Sequence, residues 1–180
     1  MLNKILLVCV LFTAGSSLTC KWMDKDFQIY SKASLALLKT MKNHSKKPTD
    51  EFELDDAAAF PNELYKHASE ESRVERLRFV AHVLGEIDAL FEQDQTHASW
   101  STSSAEDFLN IISQQADAVR SCVGKHKHHL KNQRKMSMYF KRLSRHVLEH
   151  MGHSADAWEL VRKEIRLHLH RVHILAQYHI

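Results

Sequence analysis

From Trp22 to Gln177, apolar residues return every three or four positions in five stretches. That period belongs to the amphipathic helix, and each stretch is roughly 20 residues long. The first is expected over Trp22 to Lys42, with Met23, Phe27, Tyr30, Leu37 and Met41 on one stripe and Ser34 as its one polar member. The second, Glu70 to Gln93, carries Leu77, Val80, Leu84, Ile87 and Phe91. Glu70 and Glu71 fall in its first turn, where the helix dipole favours them. The third, Ser104 to Val123, carries Phe108, Ile112, Gln115, Val119 and Cys122, with a capping box at Ser103 to Glu106 and Gly124 as its stop. The fourth, Asn132 to Met151, carries Met136, Phe140, Leu143 and Val147 and ends at Gly152. The fifth starts in the run SADAWELVRKEI and reaches Gln177, with Trp158, Val161, Ile165, Leu169, Val172 and Ala176 inward.

No stretch of useful length alternates as a strand would. Five helices with one apolar face each predict an all-α bundle. The connections narrow its topology. Residues 43–69 hold both prolines of the chain and the acidic run Asp50 to Asp56, with a short helix expected over Asn62 to His67. A connection of this length needs a purpose in a compact domain. An overhand crossover supplies one, because it lets two successive helices run parallel. The expected fold is therefore an up-up-down-down bundle with five long helices and a long first crossover loop.

The N-terminus is of another kind. Lys4 precedes the apolar run Ile5 to Phe12, and small residues follow up to Thr19. This is the three-part pattern of a secretory signal peptide. A mitochondrial presequence would need several arginines and an amphipathic face. The run is too short for a permanent membrane span. Residues 1–19 are therefore expected to be a signal peptide and residues 20–180 the folded domain, secreted and extracellular. Composition agrees with long helices, since 180 residues include 4 glycines and 2 prolines. Removing Lys4 lowers the net charge of +3 by one, which demands neither nucleic acid nor membrane as partner. After cleavage two cysteines remain, Cys20 and Cys122. In an oxidising compartment the simplest reading is one disulfide between them, and two free thiols are the alternative. Asn43-His44-Ser45 is a glycosylation sequon.

Catalytic motifs are missing. The chain has no Gly-rich phosphate loop, no Gly-x-Ser-x-Gly, no Cys-x-x-Cys and no His-Glu-x-x-His. The expectation is a protein that is not an enzyme and carries no cofactor or metal. His146, His150 and His153 have a spacing that could present three imidazoles to zinc, but Gly152 interrupts the helix before the third. They read as histidines at a helix end. The 125–131 loop, Lys-His-Lys-His-His-Leu-Lys, reads either as a solvated linker or as a glycosaminoglycan site of the heparan type. The polar side of the fifth helix, Glu159, Arg162, Lys163, Arg166 and His170, reads as a solvated face with a Glu159–Lys163 pair or as a partner surface with Arg anchors.

The run Ala157-Trp158-Glu159-Leu160-Val161-Arg162-Lys163-Glu164-Ile165 resembles the Cys-Ala-Trp-Glu-x-Val-Arg-x-Glu-Ile signature of the type I interferons. Phe60-Pro61-Asn62-Glu63 is similar to the Phe-Pro-x-Glu of that family's first long loop, and Cys20-Lys21-Trp22 to the Cys-x-Trp start of its fish members. Asp156 stands where the signature begins with Cys, and no cysteine lies between Cys20 and Cys122. One of the family's two bridges is thus missing whole, and the remaining pair resembles the two-cysteine group of fish type I interferons. Asp156 is a reasonable helix cap in its new place, with Glu159 reaching back.

The resemblance implies an up-up-down-down helical cytokine bundle and a secreted antiviral cytokine. Such a protein bridges two different type I interferon receptor chains and triggers JAK-STAT signalling and interferon-stimulated genes. It implies that the long loop and last helix meet one chain while helices two to four meet the other. By motif, Arg162 is the leading receptor contact, continued by Lys163, Arg166 and His170, while Trp158, Val161 and Ile165 belong to the core. Leu167 stands where the family often has a basic residue. An interleukin-10-like helical cytokine, or a basic secreted protein that binds glycans or membranes, is the alternative.

Overall fold

The structure, a computed structural model, describes residues 25–41, 59–124 and 130–177. The expected signal peptide, Cys20, the Asn43 sequon, most of the first crossover and residues 125–129 lie outside them. Six helices are described: α1 over 25–40, α2 Asn62–Glu70, α3 Arg73–Phe91, α4 Thr102–Val123, α5 Leu130–Leu143 and α6 Ala155–Gln177. A π-helical turn, Ser144–Glu149, continues α5. No strand occurs among the described residues.

Contacts between helices give their directions. Ser31 and Leu38 of α1 meet His173 and Arg162 of α6, so these two run antiparallel. Phe91 packs on Trp158, and Phe79 reaches His168 through Tyr65, so α3 also opposes α6. Hence α1 and α3 are parallel, as the long crossover predicts. Asp88 bonds Ser113 and Arg78 bonds Val123, which sets α4 against α3. The four helices α1, α3, α4 and α6 make the up-up-down-down bundle. The fifth long helix, α5, is laid beside it and runs parallel to α3, with His82 on Gln133 and Gln93 on Ser144.

The predicted stripes form one continuous core. Phe27, Val80, Leu84, Ile87, Phe108, Ile112, Val119, Met136, Leu143, Trp158, Val161 and Ile165 are all completely enclosed. Trp158 closes one end. Its ring lies 5.5 Å from Phe91 and 5.7 Å from Trp100, and its indole N–H donates to the Asp94 carbonyl at 3.1 Å. A buried indole N–H without that acceptor would be costly.

Helix ends depart from expectation where several polar residues compete for the cap. Glu70 and Glu71 do not open α3. They close α2, and Ser72 caps α3 by accepting from the Glu75 N–H. Ser101, not the Ser103–Glu106 box, caps α4 by accepting from the Ser104 N–H at 3.2 Å. The cap of α6 is Ser154, whose hydroxyl accepts from Ala157 at 3.3 Å, with Asp156 inside the first turn. Gly124 and Gly152 do end helices, at φ 65° and 59°.

Candidate functional site

The signature run is largely inside the protein. Ala157, Trp158, Val161 and Ile165 are core, as expected, and so are Arg162 and Glu164. Arg162 therefore does not lie on the exposed face of α6. It is 5% exposed. Its Nε and Nη2 donate to the two Glu159 carboxylate oxygens at 2.8 and 2.7 Å, and Nη1 donates to the Leu38 carbonyl at 2.9 Å. Leu38 is in the last turn of α1, whose final carbonyls lack intrahelical donors. A cation there also meets the negative end of the helix dipole. Arg162 thus ties α6 to the end of α1. Periodicity could not reveal this, because Arg162 sits at the rim of the inward stripe, where either core or solvent fits.

Lys163 is half-buried, while Arg166 and His170 are exposed. They share their face with Leu167 and Ile174, which are 45% and 54% exposed. These two apolar side chains are one heptad apart and outside the core stripe. That spacing was visible in the sequence but was masked by the stronger inward pattern. The face borders a groove of about 370 Å³ between α2 and α6, lined by Asn62, Glu63, Tyr65, Lys66, Arg171 and Ile174. Arg171 Nη2 donates to Asn62 Oδ1 at 3.1 Å and fixes one wall.

Beneath that wall lies a buried histidine. His168 is fully enclosed, with the rings of Phe60, Phe140, Tyr139 and Tyr65 at 4.7, 4.9, 5.2 and 5.7 Å. Nδ1 shares a hydrogen bond with the Tyr65 hydroxyl at 2.6 Å, and Nε2 has no partner. Burial pushes the imidazole down to about 3 and raises the Tyr65 phenol. Beside it the Tyr139 hydroxyl donates to Glu164, whose pKa is raised by burial and pulled back by that bond. The cluster holds α2, and so the end of the first crossover, against α6. On the other flank His173 is lowered by burial, then by Lys32 and His170.

The sign of the pH dependence follows. The unfolded chain takes up a proton on His168 near its ordinary pKa of about 6.5, and the folded chain does not until about 3. Stability from this group is complete above pH 6.5 and falls by about 1.4 kcal/mol per unit below it. At pH 5 the expected loss is about 2 kcal/mol, increased by His173 and opposed by Glu164, which protonates earlier in the folded chain. Denaturation at pH 7 and 5 should show a smaller loss for His168→Phe than for wild type. Equal losses would exclude His168 as the source.

His146, His150 and His153 do not form a ligand set. The π-helical turn shifts the register, with the His150 N–H bonded to the Arg145 carbonyl, and His153 turns away at φ 53°. Among the described residues no group of three or more His, Cys, Asp or Glu side chains is placed to hold a metal. No helix among them is long and apolar enough to cross a membrane. Cys122 is disulfide-bonded, and its partner lies outside the described residues.

The fold is that of a helical cytokine, an all-α up-up-down-down bundle. The Interferon alpha/beta domain family matches residues 23–179, so the chain belongs to that family. It is 33% identical over 157 residues to interferon a3 of Oncorhynchus mykiss, covering 87% of this chain and 85% of that one. It is 28% identical over 173 residues to interferon omega-1 of Bos taurus, covering 88% and 83%. Its structure resembles that of zebrafish interferon 1 with a TM-score of 0.73 and 28% identity, covering 87% and 97%. The protein is an interferon cytokine, not an enzyme, and its family's partners are interferon receptor chains.

Proposed function

We propose that the chain is a secreted antiviral cytokine that bridges two different interferon receptor chains and starts JAK-STAT signalling. Family membership supports the class. The observation that carries the site is the exposed α6 stripe, in which Lys163, Arg166 and His170 flank Leu167 and Ile174. Basic side chains around apolar anchors suit a protein partner. Bridging makes the second, weaker contact effectively intramolecular on the cell surface. Residues 1–19 serve as the signal peptide, Cys20 pairs with Cys122, and Asn43 is the glycan acceptor.

Arg166→Glu should raise the concentration needed for half-maximal STAT phosphorylation about 5- to 30-fold, the equivalent of 1–2 kcal/mol at a receptor contact. Its melting temperature should match wild type, because Arg166 is exposed. An unchanged response from the folded variant would remove Arg166 from the contact. A STAT signal that excess receptor ectodomain fails to block would reject the receptor assignment.

A further inference from the structure

The helix α5, which packs against α6 through Tyr139 and Phe140, presents an exposed surface of different chemistry. No Asp or Glu occurs between Leu130 and Leu148, while six cations do: Lys131, Arg134, Lys135, Lys141, Arg142 and Arg145. All are exposed except Arg142, which is half-buried. At 100° per residue, those on α5 fall within about 120° of arc centred on Met138, and from Lys131 to Arg145 the row is about 21 Å long. None of the six is paired with a carboxylate among the described residues.

Several nearby acids are occupied or lie off the row. Glu86 accepts from Ser137 at 2.5 Å and lies 3.3 Å from His82, Glu164 is buried under Tyr139, Glu75 pairs with Arg78, and Glu149 stands beyond the end of the row. The row also lacks what other partners need. Met138 is its one exposed large apolar side chain, too little to anchor a lipid surface. Tyr139 and Phe140 are buried, and His146 at the far end is the one exposed ring, too little to form a platform for stacked bases. A straight, evenly charged row fits a linear polyanion with regularly spaced charges.

We infer that the exposed face of α5 binds a sulfated glycosaminoglycan chain along the helix. The extracellular location this needs rests on the proposed function. The site is separate from the α6 stripe, where cations alternate with apolar anchors. Binding here would concentrate the cytokine at sulfated cell surfaces through screened, salt-sensitive attraction.

The test is the affinity of the full mature chain for heparin on a sensor surface between 100 and 400 mM NaCl. Arg134→Gln/Lys135→Gln/Lys141→Gln should bind at least tenfold more weakly at about 150 mM NaCl, with the salt slope reduced by about 2, by the counterion-release rule for polyanions. Lys163→Gln/Arg166→Gln on α6 should change affinity less than twofold, and desulfated heparin should not bind. Lys131→Gln/Arg145→Gln, at the two ends of the row, gives a second reading if the triple variant does not fold. A triple variant within twofold of wild type, or an equal loss on α6, would overturn the assignment. A loss carried by Lys125→Gln/Lys127→Gln instead would also overturn it. The readout uses no cells, so it is independent of the receptor assignment.

Discussion

Arg162→Ala should destabilise the protein by about 2–4 kcal/mol, the range for removing one partner of a buried, charge-assisted network. The guanidinium satisfies the Leu38 carbonyl at the end of α1 and holds both oxygens of Glu159. Alanine removes all three bonds and opens space where α1 crosses α6. For a chain of this size the melting temperature should fall by about 5–15 °C. Arg162→Lys should lie between, since an ammonium keeps the charge but cannot form the planar two-pronged bond. Any loss of signalling by Arg162→Ala should follow the folded fraction, in contrast to Arg166→Glu. An Arg162→Ala protein that melts like wild type yet signals poorly would return this side chain to the receptor surface.

The disulfide at Cys122 has the largest expected effect on stability. The only other cysteines are Cys9 and Cys20, so the enclosed loop is about 100 residues or longer whichever is the partner. A closure of that length restricts the unfolded chain by about 4–5 kcal/mol in the chain-entropy model, and measured values run from near zero to that figure. Cys122 lies in the last turn of α4 and packs against the core, so the bridge also anchors the end of that helix. Urea unfolding of oxidised and reduced protein, and of Cys122→Ser, should show the midpoint moving down together in the reduced and mutated forms. Coincident midpoints for oxidised and reduced protein would show that the bridge does not stabilise the fold. Mass mapping of the oxidised chain should identify Cys20 as the partner.

The two surfaces offer separate levers. Charge changes on α6 are read by signalling and those on α5 by polyanion affinity in a measurement without receptor, and the two rows lie on different helices and share no side chain.

By itself, the sequence determined the helices, their inward faces and the family. Those depend on a repeat of three to four residues and on a run of side chains that must pack together, and both are local. Trp158, Val161 and Ile165 were readable as core because they continue the stripe of α6, and they are core. The long crossover was enough to make α1 and α3 parallel. Caps were less legible, since Ser101, Ser103, Ser104, Ser154 and Asp156 are chemically equivalent candidates until the chain direction chooses among them. Tertiary structure alone decided the fate of Arg162. Its position at the rim of the stripe fits either solvent or core, and the deciding partner, Leu38, is 124 residues away. The same holds for His168, one of 14 histidines in the chain, which becomes distinctive only when Phe60, Tyr65, Tyr139 and Phe140 close around it from three other segments. Burial of a polar group depends on neighbours distant in sequence, and no local period records them.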